Sequence, residues 1–101
     1  MQQTPNLVYI KELAGDDTDF EQKFIQILKD EFPIELQTYT EHIARQELVK
    51  AAEVVHKLKH KFNILSMTKA YEFAVVYEED LKVGNAKMST EFLTILETIK
   101  N

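Results

Sequence analysis

The sequence predicts an all-α protein, an antiparallel four-helix bundle with a short N-terminal helix packed on one end. Only two glycines and two prolines occur among 101 residues, which leaves little material for the many turns of an all-β fold. Hydrophobic residues make up 45% of the chain, too many for a disordered one. They recur at intervals of three and four, the spacing of one helix face. At this length we expect a single domain spanning residues 1–101.

The first two predicted helices are separated by a glycine and a group of acidic residues. The first is short and ends at Gly15, where a left-handed conformation is needed. The second begins near Asp17 or Thr18, whose side chains are suited to the N-cap. Pro33 interrupts the second helix and predicts a kink there, with a break as the alternative. The apolar face of the first helix contains Leu7, Ile10 and Leu13, and that of the second contains Phe20, Phe24, Ile27, Leu28, Leu36, Tyr39 and Ile43.

The remaining three helices complete the bundle. The third covers about five turns from Leu48, and Ser66 is expected to cap the fourth, which stops at Gly84. Ser89 or Thr90 is expected to cap the fifth. Short connections between helices of this length favour antiparallel neighbours. Their apolar positions are Leu48, Ala51, Ala52, Val55, Leu58, Phe62 and Leu65 in the third helix, Ala70, Phe73, Ala74, Tyr77 and Leu81 in the fourth, and Phe92, Ile95, Leu96 and Ile99 in the fifth.

Charge is distributed unevenly along the chain. The net charge is -5, but residues 50–70 carry five lysines and one glutamate, a balance of +4 that leaves -9 for the remainder. A basic patch on an acidic body suits a defined anionic partner and counts against a general nucleic-acid binder. Cysteine is absent, and no segment approaches the roughly 18 apolar residues of a membrane span. We therefore expect a cytoplasmic protein that binds neither membranes nor nucleic acid.

The basic region contains the sequence HKLKHK at positions 56–61. At 100° per residue, with Val55 at zero, His56 lies near 100° and His60 near 140°, both outside the apolar stripe. Lys59 lies near 40°, at the border of that stripe. Both imidazoles are therefore expected to face solvent, where an imidazole can act as a nucleophile or bind a metal and neighbouring ammonium groups can hold a phosphate.

Other residues and segments along the chain have to be considered together with this motif. Residues 56–60 consist of a histidine, a lysine, a leucine, a lysine and then His60. Pro33 and Ser66 belong to the same pattern, as do three segments: LAGDDTDF at 13–20, NILSM at 63–67 and EEDLKVGN at 78–85. Together they resemble the histidine-containing phosphotransfer (HPt) domain of two-component phosphorelays over nearly the whole chain. The signature of that family is histidine, any residue, leucine, lysine and glycine, with glycine at the position of His60 and commonly at that of Ser66.

The resemblance implies a signalling phosphocarrier and not an enzyme. His56 would accept a phosphoryl group from the aspartyl phosphate of a receiver domain and pass it to another receiver, with Lys59 neutralising the phosphate and His60 as an auxiliary neighbour. Lys57 and Lys61 would dock the partner. The partners would be receiver domains of response regulators and hybrid histidine kinases. The protein would be a monomer without cofactor or metal, because Mg²⁺ would belong to the receiver.

Departures from the family pattern leave alternatives open. His60 adds bulk where glycine leaves room for a receiver, and it is a rival phosphoacceptor. The fourth helix has no Asn or Gln between positions 67 and 83, so the amide that orients the histidine in some members is missing. One alternative is a degenerate HPt domain that binds receivers or a kinase without phosphotransfer. Another is a metal module built on His56 and His60 at i and i+4, with Glu53 as a third ligand, although flanking lysines would repel a cation. His42 is expected to be an ordinary surface residue.

Overall fold

The computed structural model describes the backbone of residues 7–100 and the side chains of residues 7–99. This range is all-helical and contains no strand, which confirms the predicted fold class. The helices are α1 (Val8–Ala14), α2 (Thr18–Ala44), α3 (Leu48–Ile64), α4 (Thr68–Lys82) and α5 (Ser89–Lys100). None of them, within the described range, combines the length and apolarity needed to cross a membrane.

The longest helix, α2, sets the length of the molecule. Its 27 residues span about 40 Å at 1.5 Å per residue, close to the longest dimension of 45 Å. It begins where the sequence predicts, because the Asp17 carboxylate accepts a hydrogen bond from the backbone N–H of Phe20 at 2.9 Å. The helix continues through Pro33 without a break. Phe32 and Tyr39 are buried on either side of the proline and hold both halves of α2 against the core.

The centre of the bundle is α3, which packs most extensively against α4 and next against α2. Helix α5 contacts both α2 and α4, and α1 lies on α2. Six side chains of α3 are buried: Ala51, Ala52, Val54, Val55, Leu58 and Phe62. The side of α3 that faces neither neighbour is left open to solvent.

An aromatic cluster joins four of the helices around Phe92 of α5. The ring of Phe92 lies 5.0 Å from that of Tyr77 and 5.3 Å from that of Tyr39, and it also contacts Phe62 and Phe73. The hydroxyls of Tyr39 and Tyr77 share a buried hydrogen bond of 2.6 Å. The expectation that these aromatic rings form the core is confirmed, with Phe73 only partly buried.

Helices α2, α3 and α4 end in the same way, with one left-handed residue just past the helix. These residues are Gln46, Ser66 and Gly84, with φ of 59°, 57° and 86°. In each case the next backbone N–H bonds to a carbonyl five residues back, as in the link from Met67 to Phe62 at 2.8 Å. The prediction that Ser66 caps α4 is therefore wrong, because Ser66 terminates α3 instead. Ser89 and Thr90 lie inside the first turn of α5 and do not precede it.

The predicted apolar face of α2 is partly wrong. Phe20 and Ile27 are 45% and 54% exposed, whereas Phe32, which the pattern omits, is 8% exposed. Phe20, Ile27 and the exposed Ile34 recur every seven residues along the outer side of the helix. The helix carries apolar residues on two faces, and periodicity alone does not determine which face meets the core.

Candidate functional site

The contact between α3 and α4 holds the imidazole of His56 in place. His56 Nδ1 lies 3.2 Å from Oε1 and 3.3 Å from Oε2 of Glu78, a residue of α4. The side chain of His56 is 50% exposed and that of Glu78 only 7%. One ring nitrogen is therefore anchored toward the bundle, and the other points away from it. The expectation that His56 lies outside the buried stripe is confirmed.

Glu78 is a buried carboxylate with three cationic or N–H partners. Besides His56 it accepts from Lys59 Nζ at 3.0 Å and from Lys82 Nζ at 3.2 Å. Burial acts to raise the pKa of Glu78, but the hydrogen bonds from Lys59, Lys82 and His56 outweigh it, so the pKa lies below its ordinary value. The carboxylate is therefore ionised at neutral pH.

The ionised carboxylate fixes the tautomer of His56. Because a carboxylate without a proton can only accept, Nδ1 of His56 must carry the hydrogen that joins them. Nε2 of the neutral ring then holds the lone pair. The sequence indicates no residue that orients this imidazole, and in the structure Glu78 takes the place of the missing amide.

His60 approaches the outward nitrogen of His56. The two Nε2 atoms are 3.1 Å apart, and the rings meet edge to face with centroids separated by 4.6 Å. In the neutral form of His56, Nε2 carries a lone pair, and His60 Nε2 is then the donor of this hydrogen bond. The result is a chain of hydrogen bonds that runs from His60 through His56 to Glu78.

The lysines of the motif have three different environments. Lys59 is 15% exposed, at the border of the buried stripe as predicted, and its ammonium is bound to Glu78. Lys57 is exposed and makes no ion pair with any residue that the structure describes. The side chain of Lys61 turns toward α2 and is 13% exposed, with Nζ 3.0 Å from the carboxylates of both Glu31 and Glu35. Lys59 thus joins the His56 site, whereas Lys61 belongs to a different helix contact.

The ion pairs of Lys61 affect its pKa more strongly than its burial does. Burial acts to lower the pKa of Lys61, but hydrogen bonds to Glu31 and Glu35 raise it above its ordinary value. This ammonium is therefore charged and already engaged within the chain. Its predicted docking role stays a prediction, with less of the group accessible than the sequence suggests.

Glu78 is the residue of this candidate site that the sequence pattern did not indicate. It follows Ala74 by four positions and precedes Leu81 by three, so it lies on the buried face of α4. A charged residue within an apolar stripe was the available signal, because such a residue requires partners that compensate its charge. Which partners it meets depends on the packing of α4 against α3.

One alternative for His56 and His60 is a metal site. Among the described side chains, no three His, Asp or Glu residues come together in a group suited to a metal ion.

The third histidine, His42, is 21% exposed, which is less than expected. Its Nδ1 lies 3.1 Å from Glu47 Oε1 at the turn between α2 and α3. His42 is therefore part of that turn and separate from the HKLKHK motif.

An open apolar groove of about 510 Å³ lies on the other side of α3, between α2 and α5. Phe32, Phe62 and Ile99 line it together with Lys61. Neither His56 nor Glu78 contributes to this groove. The chemistry of the histidine motif is therefore confined to an open surface where α3 meets α4.

Comparison with protein-family models, with curated proteins and with solved structures finds no match to this chain. The geometry around His56 and the motif in the sequence are therefore the two features that point to a function.

Proposed function

We propose that the protein is a phosphorelay carrier, which accepts a phosphoryl group on Nε2 of His56 from the aspartyl phosphate of a receiver domain and passes it to a second receiver. The observation that carries this proposal is the contact of His56 Nδ1 with the buried carboxylate of Glu78, at 3.2 Å. It directs the nucleophilic nitrogen away from the bundle, where another protein can reach it.

The anchored tautomer suits this reaction. The lone pair of Nε2 attacks phosphorus, the N–P bond forms, and the bond from phosphorus to the aspartyl oxygen breaks, which releases a carboxylate on the receiver. The imidazole keeps its Nδ1 hydrogen and gains a positive charge, which the Glu78 carboxylate stabilises. No base is needed on this chain. Transfer to the second receiver reverses the same bonds.

Lys59 supports the phosphate in this proposal. Oε1 of Glu78 lies 3.0 Å from Lys59 Nζ and 3.2 Å from His56 Nδ1, so the ammonium and the imidazole share one carboxylate oxygen. Lys82 also lies 3.4 Å from Oε1 of Glu79, so the two lysines and the two carboxylates balance in charge. Lys59 is therefore the ammonium beside His56 that would meet an anionic phosphoryl group.

The proposal also concerns the binding partners of the protein and its location in the cell. An exposed histidine on a helical bundle of this length agrees with the HPt family that the sequence resembles. The partners would be receiver domains of response regulators and hybrid histidine kinases, met by a cytoplasmic monomer, with Mg²⁺ supplied by the receiver. The exposed ammonium of Lys57 is available for docking, whereas Lys61 is already bound to α2.

One observation favours a second function. The 3.1 Å contact between the Nε2 atoms of His60 and His56 occupies the lone pair that phosphoryl transfer needs. A degenerate HPt domain that binds receivers or a kinase without carrying phosphate would tolerate this arrangement.

The two functions differ in whether the chain takes up phosphate. Incubation with a receiver phosphorylated on its aspartate should give an acid-labile, alkali-stable label that peptide mass spectrometry maps to His56. His56→Ala should abolish the label, and His42→Ala, which removes the other anchored histidine, should retain it. Equal label on His56→Ala would refute the assignment. Binding of a receiver by the wild type without any label would favour the degenerate domain.

A further inference from the structure

The contact between His56 and His60 has a steric consequence for phosphoryl transfer. A phosphorus atom bonded to Nε2 of His56 would need space near the position that His60 Nε2 now occupies, 3.1 Å from that nitrogen. The hydrogen bond also engages the lone pair that has to attack. Phosphorylation and the His60 contact are therefore mutually exclusive.

We infer that His60 is a gating residue, which holds the His56 lone pair by an N–H hydrogen bond and has to turn away before any electrophile can react there. The inference rests on the proposed function for its biological meaning. It explains how the residue that replaces the family glycine would affect the site: His60 slows phosphorylation of His56 without taking part in the bond changes.

The direction of the hydrogen bond between His60 and His56 follows from the contact between His56 and Glu78. Glu78 is ionised, so the neutral form of His56, which is the nucleophile, donates through Nδ1 and accepts through Nε2. Only a donor can face that second nitrogen, and His60 supplies it. A tautomer of His60 with the hydrogen on its other nitrogen would bring two lone pairs together at 3.1 Å.

Of the two rings, His60 is the one that can move. His56 is held on its far side by a buried carboxylate that is itself bound to Lys59 and Lys82. His60 is exposed, and its Nδ1 makes no hydrogen bond to any residue that the structure describes. Rotation of an exposed side chain is fast, so turning His60 away costs one hydrogen bond and no rearrangement of the bundle.

The gate can be tested with an electrophile that needs no partner protein. Diethyl pyrocarbonate acylates the unprotonated nitrogen of an imidazole, and peptide mass spectrometry reports the rate at each histidine separately. His60→Ala should raise the acylation rate of His56 about two- to tenfold, the effect of removing one hydrogen bond. The rate at His42 in the same samples is the internal control and should not change.

A donor-retaining variant separates gating from general loosening. His60→Gln keeps an N–H group at this position and should give a His56 rate closer to the wild type than His60→Ala does. An unchanged or slower His56 rate in His60→Ala would overturn the inference. So would equal acceleration at His42, because that result would indicate a general loosening of the fold.

The same two proteins distinguish this inference from the proposed function. With a phosphorylated receiver, His60→Ala should label His56 about two- to tenfold faster than the wild type. If the wild type and His60→Ala are labelled at equal rates and acylated at equal rates, the phosphocarrier function is supported and the gating role of His60 is refuted. If His60→Ala is acylated faster but neither protein is labelled, the gating role is supported and the phosphocarrier function is refuted.

Discussion

His42 and His56 both place Nδ1 near a glutamate carboxylate, at 3.1 Å and 3.2 Å, yet their surroundings differ. His42 meets Glu47, five residues away within the turn between α2 and α3, and both side chains are partly covered. His56 meets Glu78, which is 22 residues away on another helix. There the carboxylate is buried and the imidazole is half exposed. The first contact closes a turn, and the second holds a half-exposed imidazole where two helices meet.

The two carboxylates also depend on different partners. The hydrogen bond from His42 is the main cause that lowers the pKa of Glu47. For Glu78, burial opposes ionisation, and the two lysine hydrogen bonds exceed that of His56 in lowering the pKa. Glu78 therefore depends chiefly on two lysines for its ionisation, whereas the largest influence on Glu47 is His42 itself.

The largest difference between the two pairs is expected in phosphoryl transfer. Glu78→Ala should lower the rate of label formation on His56 by about ten- to a hundredfold, the worth of a hydrogen bond to a charged group, because the tautomer and the cationic product both lose support. The measurement is the initial rate with a phosphorylated receiver. Glu47→Ala is the matched control and should leave that rate unchanged. An equal loss in both variants would contradict the distinction.

Stability should separate the same two variants. Glu78→Ala should lower the free energy of unfolding by about 1–3 kcal/mol, because it leaves the largely buried ammonium of Lys59 without a carboxylate. Urea denaturation at neutral pH measures this change. Glu47→Ala should cost less, since its lysine partner Lys50 is 62% exposed. A larger loss in Glu47→Ala would show that the turn, and not the helix contact, carries the stability.

A smaller effect on phosphoryl transfer is expected from removing the lysine beside Glu78, and the lysine beside Glu47 serves as the control. Lys59→Ala should slow labelling of His56 about three- to tenfold, because one positive charge near the incoming phosphate is lost. Lys50→Ala removes a lysine from the Glu47 pair and should not change the rate. Binding of the receiver, measured in parallel, shows whether the loss lies in docking or in transfer. Equal rates for Lys59→Ala and the wild type would remove Lys59 from the site.

The smallest expected effect is on how the free energy of unfolding changes with pH. The pKa values of Glu78 and Glu47 both lie below the ordinary value, so each carboxylate stabilises the fold above the unfolded pKa of about 4.3 and loses that contribution as pH falls through its folded pKa. The free energy of unfolding should therefore decline as pH falls below about 5, and the decline should continue through the folded pKa of each group. Glu78→Gln should make this decline shallower, and more so than Glu47→Gln. A steeper decline in Glu78→Gln would reverse the assigned sign.

Much of the fold could be predicted because helix periodicity is local. Apolar residues three and four apart identify all five helices, and Asp17 and Gly84 mark helix ends through their own conformational preferences. Ser66 and Gln46 were not predicted as helix terminators, because a left-handed conformation is unfavourable for both residue types.

The site was predictable only in part, for a similar reason. The 100° step along α3 places His56 and His60 on the solvent side and Lys59 at the border without any knowledge of the other helices. The partner of His56 is not accessible in this way. Glu78 lies 22 residues further along the chain, and its distance from the imidazole depends on how α3 and α4 dock.

The sequence by itself thus determined five helices, their order and the exposed side of the motif helix, since these depend on side chains within a few residues of one another. Only the tertiary structure decided that Glu78 meets His56 and Lys59, that Lys61 turns to α2, and that Phe20 and Ile27 stay exposed. Each of these depends on which faces of two helices pack together. Packing is decided by burial and charge compensation across the whole bundle, and local spacing does not encode it.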